Sequence, residues 1–250
     1  MTLDPAFMDR PLAHRGLHDG SGACPENSIP AIEAAVIAGY GIEIDVQVSA
    51  DDVAMAFHDD DLQRLAGQMG LVRDRSSFEL GQQRLLGGTA RIPRLSEVLS
   101  LVNGAVPLLI EIKDQDGGLG DKLSGLEDAV ARDLAGYRGP VAVMSFNPHS
   151  IAKMARLAPT IARGLVTCSF KAPDWPGANG ARLNALRAIR DFDRVGATFI
   201  SHEAADLDRT RVGALKAAGV PILCWTIRSQ EQEKTARAVA DNITFEGYRP

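Results

Sequence analysis

The chain has 250 residues, of which 45% are hydrophobic and 24% are charged, a composition typical of a folded globular protein. Its formal net charge is −5 and it contains no dense basic segment, so nucleic acid and anionic membranes are not expected as partners. No apolar stretch approaches the roughly 18 residues of a membrane span, and the N-terminal sequence lacks the pattern of a signal peptide. The cysteines Cys24, Cys168 and Cys224 lie far apart, which predicts free thiols and a cytoplasmic location.

Short β-like segments alternate with helical segments along the chain. Strands are predicted at 11–14, 41–48, 106–112, 141–146, 161–166, 197–201, 220–226 and 242–245. Helices are predicted at 28–38, 120–134, 148–157, 181–192, 209–218 and 229–239. This alternation is typical of the α/β class, and eight strands in a chain of this length predict a (β/α)8 TIM barrel.

Two segments do not fit the simple alternation. Residues 53–57 are β-like but follow strand 41–48 after only four residues, which is too short for a parallel crossover of roughly a dozen and predicts a hairpin. Residues 59–94 are polar, with at most short helices such as 76–86, and we expect an insertion that covers one barrel mouth. We expect its apolar face to be too small for a core of its own. We therefore expect one domain over residues 1–250 with an insertion at about 59–94.

Three carboxylates fall on two neighbouring predicted strands. Glu43 and Asp45 are two residues apart, so strand alternation directs both to one face, and Glu111 adds a third from the next barrel strand. Alternation alone would suit surface charges equally well. Buried together, however, the three carboxylates need a cation, and an all-oxygen set favours Mg²⁺ or Ca²⁺ over Zn²⁺.

Histidines and cations stand at the same predicted mouth. His14 and His58 each end a strand, and two imidazoles suit acid and base catalysis near neutral pH, although a single strand-end histidine is more often structural. Arg15 and Lys113 bring positive charge beside the carboxylates, which favours a phosphate as ligand. An ion pair of Lys113 with Glu111 or Asp45 is the simpler alternative.

An ordered set of motifs resembles the glycerophosphodiester phosphodiesterase family, whose barrel is related to that of phosphatidylinositol-specific phospholipases C. The motifs run through nearly the whole chain and are His14-Arg15-Gly16, Pro25-Glu26-Asn27-Ser28, Glu43-Ile44-Asp45-Val46, Phe57-His58-Asp59, Ile92-Pro93-Arg94-Leu95, Glu111-Ile112-Lys113, Ser145-Phe146-Asn147-Pro148 and Cys224-Trp225-Thr226. One such motif alone is weak evidence, but the ordered set is specific.

The resemblance implies a role for each matching residue. His14 and His58 would be the acid/base pair. Glu43, Asp45 and Glu111 would bind a divalent metal, usually Mg²⁺ or Ca²⁺. The phosphate site would be lined by Arg15, Glu26 and Lys113. Trp225 matches an aromatic residue that packs on the glycerol side of the substrate, and core packing is its alternative role.

The implied activity is metal-dependent hydrolysis of a small glycerophosphodiester to sn-glycerol 3-phosphate and an alcohol. Departures from the family pattern at Leu17, Arg228 and Glu246 concern specificity, and His18, His149 and His202 match no catalytic motif. A lysophospholipase D or another phospholipase-type enzyme would need an apolar rim at the mouth. An amidohydrolase barrel would need a His-x-His motif on the first strand. A non-catalytic binding barrel would have lost a histidine or a carboxylate. Head-group choice and oligomeric state are left open.

Overall fold

The computed structural model describes residues 2–19 and 22–250. Its strands, numbered in chain order, are β1 Leu12–Ala13, β2 Gly41–Val48, β3 Ala54–Ala56, β4 Leu108–Ile112, β5 Val141–Ser145, β6 Ala162–Thr167, β7 Phe199–Glu203, β8 Ile222–Ile227 and β9 Asn242–Phe245. Its α-helices are α1 Ala6–Asp9, α2 Ile29–Ala38, α3 Gln63–Ala66, α4 Ser77–Gln82, α5 Leu95–Val102, α6 Leu126–Leu134, α7 Pro148–Leu157, α8 Gly180–Arg187, α9 Thr210–Ala217 and α10 Gln230–Ala236.

The strands close into a parallel barrel. Their order is β1-β9-β8-β7-β6-β5-β4-β2, and a parallel pairing of β1 with β2 completes the ring. In the part of the chain that the structure describes, eight parallel strands thus form the barrel, which confirms the predicted fold class. Strand β3 runs antiparallel to β2, so the predicted hairpin is also confirmed. The predicted strand limits differ from the observed ones by at most two residues.

Several helices between the strands begin at recognisable side-chain caps. The hydroxyl of Ser28 accepts a hydrogen bond from the backbone N–H of Ala31 at the start of α2, and the side chain of Asn147 caps α7, whose first residue is Pro148. Several predicted helices were too long, two of them by five or more residues at one end. Helix α6 begins only at Leu126 because a loop precedes it, and α8 ends at Arg187, where turns replace the predicted continuation to 192.

Two hydrophobic layers follow from strand alternation. On β2, Ile42 and Ile44 belong to the layer between strands and helices, so the carboxylate residues of that strand face the barrel interior. The interior layer below the mouth includes Leu109 and Phe199. A Cβ on Gly164 would lie 2.4 Å from the Phe199 ring, which explains why this position on β6 has no side chain.

The insertion and the hairpin share a buried apolar cluster. Six side chains of the insertion form a buried cluster that two hairpin residues complete, namely Met55 and Phe57 with Leu62, Ala66, Val72, Leu80, Leu85 and Ile92. The insertion thus builds its core together with the hairpin rather than alone. Within the described residues, no helix combines the length and apolarity needed to span a bilayer.

Candidate active site

A cavity of about 710 Å³ opens at the carboxyl ends of the barrel strands. Most of the residues predicted from the sequence line it, namely His14, Arg15, Glu43, Asp45, His58, Glu111, Lys113 and Trp225. Glu26 is not among the described residues that line the cavity; it lies behind Arg15, with which it forms an ion pair. The barrel therefore brings side chains from distant parts of the chain to one mouth, as its topology requires.

The three carboxylates meet where β2 and β4 pair. Asp45 stands opposite Glu111 in the register of these strands, and Glu43 points to the same face two residues earlier. One oxygen from each carboxylate lies within 4.8 Å of the others, and all three residues are buried. At an effective dielectric constant of about 20, two such charges repel each other by about 3 kcal/mol.

The pKa values of Glu43 and Asp45 are shifted in opposite directions by their surroundings. Burial, followed by the charges of Asp45 and Glu111, raises the pKa of Glu43 well above its ordinary value. Burial alone would also raise the pKa of Asp45, but the nearby cations, with Lys113 the strongest, hold it below its usual range. Lys113 and Arg15 therefore neutralise the negative charge of Glu43 less than that of Asp45.

This donor set fits a divalent cation. Carboxylate oxygens are the ligands that Mg²⁺ and Ca²⁺ prefer, and their spacing lets one ion contact all three residues. Lys113 reaches only two of them, with its Nζ 2.8 Å from Glu111 Oε1 and 3.2 Å from Asp45 Oδ1. The ion pairs foreseen for Lys113 are thus present, yet they leave Glu43 without a cationic side chain in hydrogen-bond contact among the described residues.

A tight turn after β1 places Arg15 in the site. Arg15 and Gly16 both have positive φ, of 58° and 80°, and a Cβ on Gly16 would lie 2.9 Å from the backbone of Ala31. The backbone N–H of Arg15 donates to Glu43 Oε2 over 3.1 Å, and its Nη1 donates to Glu26 Oε1 over 2.6 Å. Arg15 Nε is buried 3.2 Å from Asp45 Oδ2 but makes no hydrogen bond among the described residues. A buried donor without an acceptor at the cavity wall suits an anionic ligand.

Asn27 is a site residue that the sequence reasoning quoted within a motif but gave no role. Its side-chain Nδ2 donates to Asp45 Oδ2 over 3.0 Å, and its Oδ1 accepts from the backbone N–H of Asp45 over 3.1 Å. Its φ of 56° belongs to the left-handed region, which asparagine tolerates better than most residues. Asn27 therefore fixes the orientation of one carboxylate of the triad.

His14 is held by the last strand of the barrel. Its Nδ1 lies 2.5 Å from Glu246 Oε2, and Arg228 donates to the other oxygen of the same carboxylate over 2.8 Å. The hydrogen bond with His14, with the ring of His18 close by, keeps the pKa of Glu246 well below its ordinary value, so this carboxylate only accepts. The ring proton of His14 therefore resides on Nδ1. Burial lowers the pKa of His14, which leaves Nε2 free to accept a proton.

His58 has a matching arrangement on the hairpin side of the cavity. Its Nδ1 lies 2.7 Å from Asp59 Oδ1, and its backbone carbonyl accepts from the side chain of Gln47 over 2.9 Å. Burial alone would raise the pKa of Asp59, but hydrogen bonds from His58 and Arg64 lower it. Each histidine thus has a carboxylate on Nδ1 and presents Nε2 to the cavity.

Arg64 connects the insertion to both sides of the site. Its guanidinium donates to Asp59 over 2.7 and 2.8 Å and to Glu26 over 2.9 Å at both oxygens. Asp59 holds His58, and Glu26 holds Arg15, so one side chain fixes the partners of two candidate functional residues. The sequence offered no pattern that pairs Arg64 with Glu26, because the contact depends on how the insertion folds over the mouth.

Replacement of Arg64 by Met is therefore expected to lower kcat by about 10-fold or more while changing KM less, because the partners of His58 and Arg15 lose their shared donor. Arg64→Lys keeps the charge but cannot form the bidentate contact, and we expect it to restore part of the rate. Steady-state kinetics on a glycerophosphodiester measure both constants. Arg84→Met is the matched control, since Arg84 is exposed in the same insertion. Equal loss in both variants would contradict the positioning role.

Aromatic residues form the wall opposite the hairpin. Trp225 donates its indole N–H to the backbone oxygen of Ser201 over 3.1 Å and meets Phe146 edge to face, with ring centroids 5.6 Å apart. Trp175, from the loop after β6, packs on Phe146 from behind at 5.0 Å. Trp225 thus packs against another aromatic side chain and also lines the cavity.

The other histidines lie apart from this chemistry. His202 is fully buried outside the cavity, where its ring nitrogens pair with Thr167 and Asp206. His149 is in the first turn of α7 and is not among the described residues that line the cavity. His18 lies at the edge of the site, with its Nε2 3.8 Å from Glu246 Oε2.

Comparisons with known proteins agree with this architecture. The sequence profile described as the glycerophosphoryl diester phosphodiesterase family matches residues 14–241. A glycerophosphodiester phosphodiesterase of Caldanaerobacter subterraneus is 28% identical over 93% of this chain and 91% of its own length. Another, from Bacillus altitudinis, is 32% identical over 64% of this chain and 67% of its own length.

Solved structures show the same fold. A phosphodiesterase of Oleispira antarctica, in complex with the product sn-glycerol-3-phosphate, superposes with a TM-score of 0.77 at 24% identity and covers 96% of this chain and 94% of its own. The glycerophosphodiester phosphodiesterase of Thermotoga maritima gives a TM-score of 0.70 at 22% identity, with 94% and 92% covered. Because the family profile extends from the first histidine of the site to the start of the last strand, the chain belongs to the glycerophosphoryl diester phosphodiesterase family.

Proposed function

We propose that this protein hydrolyses glycerophosphodiesters to sn-glycerol 3-phosphate and an alcohol, with a divalent metal ion and two-histidine acid/base catalysis. The observation that carries the proposal is the meeting, in one cavity, of two carboxylate-paired histidines and a buried carboxylate triad. The family membership and the names of the relatives support the substrate class. The whole chain acts as one catalytic domain in this proposal, with the insertion near residues 59–94 as part of the site.

The phosphate group would lie between the cations and the triad. Arg15 offers its Nε, which makes no hydrogen bond among the described residues, and Lys113 offers the remaining hydrogens of its ammonium group. Although burial alone would lower the pKa of Lys113, the charges of Asp45 and Glu111 raise it, so the side chain stays protonated. Glu26 contributes indirectly, because its carboxylate holds Arg15 at the cavity wall.

Glu43, Asp45 and Glu111 are the residues that would hold the metal, either Mg²⁺ or Ca²⁺. When bound, such an ion supplies positive charge that stabilises the negative charge developing on the phosphoryl oxygens. Asn27 and Lys113 orient Asp45 for that purpose, and burial of the triad keeps competing water away.

The two histidines would divide the proton transfers. Nε2 of one histidine removes the proton of the nucleophile, and Nε2 of the other protonates the leaving alkoxide as its P–O bond breaks. If the nucleophile is the 2-hydroxyl of the glycerol, a cyclic phosphate forms first and water opens it, with the histidines exchanging roles. Glu246 and Asp59 keep Nε2 of each ring directed into the cavity throughout.

A lipid substrate is the second candidate, and one observation favours it. Three large apolar side chains of the insertion are well exposed, namely Met69, Phe78 and Leu86. An exposed apolar surface near the mouth is what a lysophospholipase D would need. A binding barrel without catalysis is disfavoured, because both histidines and all three carboxylates line the cavity.

A release assay distinguishes these functions. The protein is stripped of metal with a chelator, resupplied with Mg²⁺ or Ca²⁺, and tested on glycerophosphodiesters with choline, ethanolamine, inositol and glycerol head groups beside lysophosphatidylcholine. We expect metal-restored release of sn-glycerol 3-phosphate from the diesters. Cleavage of lysophosphatidylcholine alone would favour the lipid substrate. No turnover of any of these substrates with either metal would refute both candidate functions. The cytoplasmic location is retained as a proposal from the spacing of the cysteines.

A further inference from the structure

The wall of the cavity across from the triad ends in a carboxylate that has no role so far. In the barrel order β7 is the fourth strand from β2 in either direction, so its end faces the triad across the mouth. Glu203 is the last residue of β7 and pairs in register with Trp225 of β8. Phe199, four residues earlier on the same face, packs in the barrel interior. Glu203 therefore points inward, and it lines the cavity.

The bonding of Glu203 is incomplete. Its Oε2 accepts a hydrogen bond from the backbone N–H of Ser169 over 3.1 Å, which fixes the carboxylate. Among residues 2–19 and 22–250 no Lys, Arg or His lies within ion-pair distance of it, and Oε1 accepts no hydrogen bond. A half-buried, oriented acceptor without a partner is suited to a ligand that donates a hydrogen bond.

The neighbouring aromatic rings indicate the kind of donor. The indole N–H of Trp225 is already used by Ser201, so the ring offers only carbon surface, and Phe146 extends that surface at nearly a right angle. Aliphatic C–H groups pack on such rings, and hydroxyl groups on the same carbons can reach an adjacent carboxylate. A ring face beside a carboxylate acceptor therefore suits a short polyol, whose C–H groups can pack on the ring while a hydroxyl donates to the carboxylate.

We propose that Glu203 binds the glycerol part of the substrate by accepting a hydrogen bond from its free 1-hydroxyl, and that it selects unacylated glycerophosphodiesters over lysophospholipids acylated at that position. The inference rests on the proposed function and names the substrate class more narrowly. Glu203 and Trp225 belong to barrel strands inside the mouth, whereas Glu231 of α10 is exposed at the rim. The interior position suits the part that all these diesters share, and the variable head group lies toward the rim.

Acylation of the glycerol would disrupt this contact. An esterified hydroxyl has lost its hydrogen, and the ester oxygens are acceptors only, as is an ionised carboxylate. A lysolipid acylated at the 1-position keeps only its 2-hydroxyl, so its ester and acyl chain would face Glu203 without a hydrogen to donate. A site built to receive a hydroxyl rejects analogues that lack it. With Glu203 in this role, the site favours the water-soluble diester over the lysolipid.

The test compares Glu203→Ala and Glu203→Gln with the wild type on glycerophosphocholine, glycerophosphoinositol and lysophosphatidylcholine. We expect Glu203→Ala to lower kcat/KM for both diesters equally, by about 10- to 100-fold, the usual effect of losing a hydrogen bond to a charged group. Turnover of the lysolipid stays the same or rises. Glu203→Gln keeps an acceptor oxygen, so its loss is smaller, and it serves if the alanine variant fails to fold. Glu33→Gln is the matched control, with little change expected, because Glu33 is exposed on α2 and is not among the described residues that line the cavity.

The outcomes that would overturn the inference differ from the expected one in a measurable way. A loss confined to the choline substrate would mean that Glu203 recognises a cationic head group and would overturn the inference, as would unchanged diester kinetics. Calorimetry gives a readout without turnover: the wild type is expected to bind sn-glycerol 3-phosphate more tightly than inorganic phosphate, and Glu203→Ala to reduce that difference. If the wild type cleaves no diester, the proposed function fails, while the calorimetric comparison still decides whether Glu203 contacts glycerol.

Discussion

Replacing Glu43 with Gln, or Asp45 with Asn, is expected to abolish the response of turnover to Mg²⁺ or Ca²⁺ and to lower kcat by about 10²- to 10³-fold. The three carboxylate oxygens lie within 4.8 Å of one another, and removal of one charge leaves too few ligands for a tightly bound divalent ion. The measurement is the initial rate against metal concentration after chelation, with metal binding followed separately by calorimetry.

A buried carboxylate outside the site provides the control for this experiment. Glu127 on α6 is as buried as Glu43 and forms an ion pair with Lys153. Its replacement by Gln is expected to lower thermal stability and to leave the metal response intact, because Glu127 is not among the described residues that line the cavity. If Glu43→Gln and Asp45→Asn respond to metal like the wild type, the assignment of the triad is wrong.

The second large effect concerns the histidines. His14→Ala and His58→Ala are each expected to lower kcat by about 10²- to 10⁴-fold, because each removes a positioned proton donor or acceptor. Metal binding, measured by calorimetry, should persist, since neither imidazole belongs to the carboxylate cluster. This combination separates the histidine variants from the carboxylate variants.

The matched control for the histidines is His149→Ala, which removes an imidazole that lies outside the cavity. We expect near-normal kcat and KM for it. Near-normal turnover in either His14→Ala or His58→Ala would contradict the acid/base assignment. A parallel loss of metal affinity would instead indicate that the histidine supports the carboxylate cluster.

The sequence predicted those parts of the site that depend on short-range rules. Two carboxylates two residues apart on a strand must face the same way, and the barrel fold fixes which strand lies beside them. Glu43, Asp45 and Glu111 meet for these reasons. The predicted strand ends placed Arg15 and the two histidines at the same mouth, and the resemblance to a known family added Glu26.

The residues that hold the site together were harder to predict. Glu246 was noted only as a departure from the family pattern, yet it pairs with His14 across the seam between β9 and β1. Arg64 contacts Glu26 through the fold of the insertion, whose hairpin-completed core was not expected. Such contacts depend on exact side-chain placement between segments far apart in sequence, and no periodicity encodes them.

The pairing of β9 with β1 also determines at what stage of the synthesis of the chain the site can form. His14 and its carboxylate partner Glu246 are separated by 232 positions, and the last barrel strand must pair before they can meet. A ribosome-bound chain that already carries the triad and both imidazoles still lacks the group that fixes the tautomer of one of them. The acid/base pair is therefore complete only once the barrel has closed, so a chain that stops short of β9 and Glu246 cannot contain the whole site.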